Sequence, residues 1–136
     1  MINFHLLCEG APVKRRETKN WLKRVIELEN KRVGQIDIIF CSDQYLLELN
    51  KNHLSHDYYP DILTFNYSED QAVVSGDLYI SLDRVRENAD RNRVATDMEL
   101  KRVMVHGILH LLGYSDRSGE EKKAMRMIEE SYLEIF

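Results

Sequence analysis

Val103-Met104-Val105-His106-Gly107-Ile108-Leu109-His110-Leu111-Leu112-Gly113-Tyr114-Ser115-Asp116 is the stretch on which the fold turns. From Val103 to Leu112 it is apolar almost all round, which predicts a helix buried at the centre of the protein. Thr96 and Glu99 match a capping box that would open this helix. Gly113 suits the left-handed residue that closes one. The polar interruptions are His106 and His110. Four residues make about one helical turn, so both rings leave one face with Cβ atoms about 5–6 Å apart. That spacing lets them grip one metal ion. The chain then turns, and Asp116 can come back as a third ligand. Two imidazoles and a carboxylate leave one position open, which separates a catalytic zinc site from a closed structural one.

A His-x-x-x-His pair by itself is often two unrelated core or surface histidines. Here the pair lies on a strongly apolar helix, where unpartnered imidazoles are costly. Gly113 and Asp116 also follow at the spacing of the extended zincin signature, H-E-x-x-H-x-x-G-x-x-H. Two departures shape the chemistry. Gly107 stands where a zinc peptidase carries its general-base glutamate, so the usual peptidase mechanism has no base. A glycine there serves close helix packing or leaves space beside the metal. Asp116 stands in place of a third histidine. Its oxygen binds zinc at similar distances, and its charge should make the ion a weaker Lewis acid. The competing reading of Asp116 is a loop residue near the Ser118 cap.

Outward from this stretch, the 136 residues are 43% hydrophobic and 31% charged, the balance of one soluble domain over residues 1–136. Ile2–Leu7 reads as a strand, and Val13–Arg32 as an amphipathic helix. Gln35–Cys41 is a buried strand, and Gln44–Asn50 a short helix behind the cap residues Ser42 and Asp43. His53–Pro60, with Tyr58 and Tyr59, is a polar loop. Asp61–Tyr67 is a strand with Ile62, Thr64 and Asn66 on one face and Leu63, Phe65 and Tyr67 on the other. Ser68–Ser75 connects it to Asp77–Ser81, its antiparallel partner. Asp83 caps a helix to Asn92, and a Ser118/Glu121 capping box opens a last helix through Leu133. The expected class is α+β, an α/β sandwich: a mixed sheet of about four strands covered by helices.

Neither a secretory leader nor a membrane span is expected, since the longest apolar run is broken by both histidines. Cys8 and Cys41 lack C-x-x-C spacing and read as buried, reduced thiols of a cytoplasmic protein. The net charge of −4 argues against coating nucleic acid by bulk attraction. Two basic stretches stand out: residues 14–32 carry eight basic and three acidic side chains, and residues 84–102 carry six and four. A polyanion site requires the two to converge on one cleft.

His106 through Tyr114 fits H-G-x-L-H-L-x-G-Y throughout. Tyr59-Pro60-Asp61-Ile62-Leu63-Thr64-Phe65 resembles P-T-D-V-L-S-F, and Gly76-Asp77-Leu78-Tyr79-Ile80-Ser81 resembles G-D-I-x-I-S. In this order, together with Leu49-Asn50, the segments resemble the YbeY family of bacterial endoribonucleases, which act in ribosomal RNA maturation. The resemblance runs over residues 36 to 116. It implies a zinc ion on His106, His110 and Asp116, and cleavage of single-stranded RNA. It also implies association with the small ribosomal subunit, a part in ribosome quality control, and partnership with a ribosome-assembly GTPase. Two positions depart from the family. Ser115-Asp116 replaces the usual Asp-His, and Leu54 replaces an arginine thought to serve catalysis. Either another cation such as Arg84, Arg91 or Arg102 substitutes, or RNA cleavage is weaker or different. His53 and His56 are polar neighbours of that position, more simply read as surface histidines.

The catalytic candidates are Arg84, whose planar fork suits phosphate oxygens, and Asp77. No general base is assigned. Asp61 and Asp77 both have the chemistry, yet both stand at strand starts, where turn and capping duties are common. A metallopeptidase and a non-catalytic, metal-stabilised ribosome-binding module are the alternatives.

Overall fold

A computed structural model describes residues 1–54 and 60–136, with side chains except those of residues 52–54. The elements run β1 (Ile2–Leu6), α1 (Arg15–Leu28), β2 (Arg32–Cys41), α2 (Asp43–Leu54), β3 (Ile62–Asn66), β4 (Val73–Ser81), α3 (Leu82–Asn92), α4 (Thr96–Leu111) and α5 (Gly119–Leu133). The sheet order is β1-β2-β4-β3. β1, β2 and β4 are parallel. β3 runs antiparallel to β4, pairing Ile62 with Ile80 and Phe65 with Asp77. This is the α+β architecture with a mixed four-stranded sheet that the sequence implied.

Alternation along the strands gives the sheet two unlike faces. Ile36, Ile38, Phe40, Leu78 and Ile80 turn toward α1 and α4, where they meet Trp21, Leu22, Val25, Leu100, Met104 and Ile108 in the main core. The other face carries His5, Asp37 and Asp77, with a small apolar cluster of Cys41, Leu46 and Leu63 under α2. Both cysteines are free, Cys41 buried and Cys8 partly so. Among the described residues, no helix is long and apolar enough to cross a membrane.

α4 lies flush on the sheet because Gly107 has no side chain. A Cβ there would come within 2.6 Å of Ile62 Cδ1 and 3.0 Å of Leu78 Cδ2. Every other face of its second half is buried through Val103, Val105, Ile108, Leu109 and Leu111. The uncovered stripe carries Arg102, His106 and His110, spaced four apart. The helix ends as expected: Gly113 takes φ +103, and the Tyr114 N–H returns to the Leu109 carbonyl at 3.0 Å.

Several boundaries differ from expectation. α1 is shorter than Val13–Arg32 because Asn30, at φ 62, turns the chain left-handed. Arg32 then joins β2, donating its N–H to the Ala72 carbonyl. Ala95, not Thr96, is the N-cap of α4, and no side chain caps it. Glu99 is buried and hydrogen-bonded to Asn92 instead of reaching back to an N-cap. Ser81 caps α3 by accepting from the Arg84 N–H, while Asp83 accepts from the Asp43 N–H and ties α3 to α2. The Ser118/Glu121 box on α5 forms as expected. α2 runs through Leu54, past the expected end at Asn50 and into the stretch read as a loop from His53; the side chains of His53, Leu54 and His56 lie outside the described ones.

Candidate metal centre

His106 and His110 leave α4 one turn apart, and their Nε2 atoms stand 3.0 Å from each other. The turn after Gly113 brings Asp116 Oδ2 to 3.2 Å from His106 Nε2 and 3.4 Å from His110 Nε2. All three side chains are a quarter to a third exposed, so they border a cleft. Each ring uses its other nitrogen elsewhere. His106 Nδ1–H donates to Glu129 Oε2 at 2.5 Å, and His110 Nδ1–H donates to the Tyr114 carbonyl at 3.1 Å. Both Nε2 lone pairs therefore face each other and a carboxylate oxygen. Three acceptors that close repel one another unless a cation or proton lies between them.

The geometry fits a metal. Tetrahedral zinc with ligands at about 2.0–2.1 Å holds its donors about 3.3–3.4 Å apart, close to the three observed separations. Among the described residues this is the one group of three such side chains whose donor atoms converge.

The surroundings are charged and partly buried. Burial opposes a proton on His106, but Glu129, then Asp116 and Asp61, outweigh it and raise its pKa above the ordinary 6.5. Burial also raises the Asp61 carboxyl above its usual range, though His106 pulls the other way. Asp61 borders the cleft on both sides of His106 and Asp116. On the sheet side the cleft is lined by Thr64, Arg84, Asn88 and Arg91, together with His110. On the α5 side it is lined by Glu99, Arg102, Lys122, Arg126 and Glu129.

The candidate residues therefore separate. His106, His110 and Asp116 come together, and Arg84 borders the same cleft, held by Asp43 at 3.0 Å and by Glu87 at 2.5 Å. Asp77 does not join them. The pleat turns it to the opposite sheet face, where it meets Tyr67, Asp37 and His5. Of the two basic stretches, only residues 84–102 reach the cleft among the described residues. Those of α1 border other surfaces. Arg102 is occupied by Glu129 and Glu130. Glu129 was not foreseen. Its one sequence signal is position: it follows Met125 by four residues, so a charge sits on the buried stripe of α5.

Fold and cluster together make a centre able to hold one divalent ion beside an open cleft. Comparison narrows the class. Residues 7–136 match the family described as Endoribonuclease YbeY. An Endoribonuclease YbeY of Phocaeicola vulgatus is 48% identical over 123 residues, covering 90% of this chain and 88% of the relative. That of Flavobacterium psychrophilum is 49% identical over 117 residues, covering 86% and 83%. The solution structure of a Thermotoga maritima protein superposes with a TM-score of 0.71 at 32% identity, covering 98% of this chain and 87% of that one. The chain belongs to the endoribonuclease YbeY family. It is an enzyme of RNA phosphodiester hydrolysis, of the kind that processes ribosomal RNA.

Proposed function

We propose that the chain is a single zinc-dependent domain that cleaves single-stranded RNA at the cluster of His106, His110 and Asp116. The observation that carries this reading is the convergence of three lone-pair donors within 3.4 Å, each imidazole having its other nitrogen engaged outward. A bound zinc ion supplies Lewis acidity and neutralises phosphate charge. The rest falls to the chain's own residues. Arg84, held by Asp43 and Glu87, and Arg91, paired with Glu87, line the cleft from α3 and bring positive charge toward phosphate oxygens. Asp61 is the carboxylate beside His106 placed to accept a proton from the attacking water, in the role for which Asp77 lies on the wrong face.

By family membership the reading extends to ribosomal RNA on the small subunit, to ribosome quality control in the cytoplasm, and to a ribosome-assembly GTPase as partner. Gly107 argues against the peptidase alternative, since the residue after the first histidine carries no carboxylate and its place is filled by Ile62 and Leu78. The test is incubation of purified protein with single-stranded RNA and with an unstructured polypeptide, each with and without chelator. RNA cleavage abolished by chelator is expected. Cleavage of the polypeptide, or RNA binding with no cleavage of either, overturns the proposal.

A further inference from the structure

The Nδ1 side of His106 is as fully engaged as its Nε2 side. Its acceptor, Glu129, keeps its second oxygen for Arg102 Nη1 at 3.2 Å, and Arg102 is held in turn by Glu130. Glu129 is only 4% exposed. A carboxylate buried to that depth costs several kcal/mol in desolvation, and apolar residues of similar volume often serve stability as well or better. The α5 stripe it occupies is otherwise apolar at Met125. A buried carboxylate in contact with a ligand ring, and itself held by Arg102, is placed to act on that ring.

We propose that Glu129, anchored by Arg102, is the positioning residue that fixes His106 as an Nε2 donor; this rests on the metal-centre reading above. With the proton held on Nδ1, the Nε2 lone pair is left facing the cluster. The short contact also fixes the rotation of the ring. A charged acceptor makes its ring the more basic ligand. His110 gains less, because its Nδ1 faces the neutral carbonyl of Tyr114. The metal centre thereby extends to α5, and docking of that helix completes it.

Three variants test this: Glu129→Gln, Glu129→Leu and Glu130→Gln. Zinc affinity is measured by competition with a chromophoric chelator, and the His106 tautomer by long-range proton–nitrogen NMR on the neutral, zinc-free protein. Glu129→Gln keeps the shape and loses the charge, and its affinity should fall about 10–100-fold, with a cooperative zinc-free melt showing that the variant still folds. Glu130→Gln leaves the Arg102–Glu129 pair in place and should bind zinc as the parent does. The parent should show only the Nδ1–H form of His106, and Glu129→Leu should populate the Nε2–H form. Glu129→Gln binding zinc within about threefold of the parent overturns the proposal. So does an Nδ1–H form that persists alone in Glu129→Leu. A parent that binds no zinc sinks the metal reading, while the tautomers still decide separately whether Glu129 fixes the ring.

Discussion

Removing the Asp116 carboxylate should cost the centre one of its three donors and little else. Asp116 is about a third exposed, with its Oδ2 aimed at both Nε2 atoms from 3.2 and 3.4 Å. Asp116→Ala should therefore change zinc-free stability by no more than about 0.5 kcal/mol, as for other surface substitutions. Zinc affinity is another matter. A four-ligand zinc site is worth about 10–16 kcal/mol, or about 2.5–4 kcal/mol per ligand. At about 1.4 kcal/mol per decade, Asp116→Ala should weaken zinc binding about 10²–10³-fold. Asp116→His restores a third donor without the negative charge, and should bind zinc as tightly as the parent or more so. Competition against a chromophoric chelator at fixed pH reads all three proteins, with zinc-free melts as the folding control. Asp116→Ala holding zinc within about threefold of the parent refutes the assignment of this residue as a ligand.

Other consequences are simpler to read. Gly107→Ala gains about 1 kcal/mol of helix propensity but forces a methyl to 2.6 Å from Ile62 Cδ1. Overpacking of about 1–3 kcal/mol should win and lower the melting temperature by a few degrees; a rise would show that α4 has slack against the sheet. Tyr114 donates its hydroxyl to Glu29 at 2.6 Å, locking the turn before Asp116 onto the end of α1. Tyr114→Phe should cost about 1.5 kcal/mol, the low end for a hydrogen bond to a charged group; an unchanged melt counts against the lock. In zinc-free protein the folded pKa of His106 lies above 6.5. Protonation therefore favours the fold, and this contribution is complete below about pH 6.5 and lost as pH rises through the raised value. With chelator the melting temperature should fall from pH 6 to pH 8.5, and with excess zinc it should rise. A flat profile in chelator contradicts the account.

Much of this was legible because the decisive features are local. The apolar run from Val103 to Leu112 could only be a buried helix, and the histidine spacing and Gly113 follow from helical geometry. The alternation of Ile62, Thr64 and Asn66 against Leu63, Phe65 and Tyr67 holds, as the hydrogen bond from Asn66 to the Leu111 carbonyl shows. What escaped depends on contacts across the chain. β4 begins at Val73 and not Asp77, because Val73 and Val74 extend the ladder by pairing with Arg32 and Val33 of β2. Asp83 looks like a cap but is drawn to α2. Asp77 has the chemistry of a base, and only the register shows which face it takes. Glu129 reads as half of a solvated Glu-Glu pair until α5 folds onto α4 and sets it against His106.

The most direct test is zinc-edge X-ray absorption on protein loaded with one equivalent of zinc. The account predicts two imidazole nitrogens and one or two oxygens at about 2.0–2.2 Å, with one imidazole lost in His106→Ala or His110→Ala. A spectrum without imidazole scattering, or one that neither substitution alters, would contradict it.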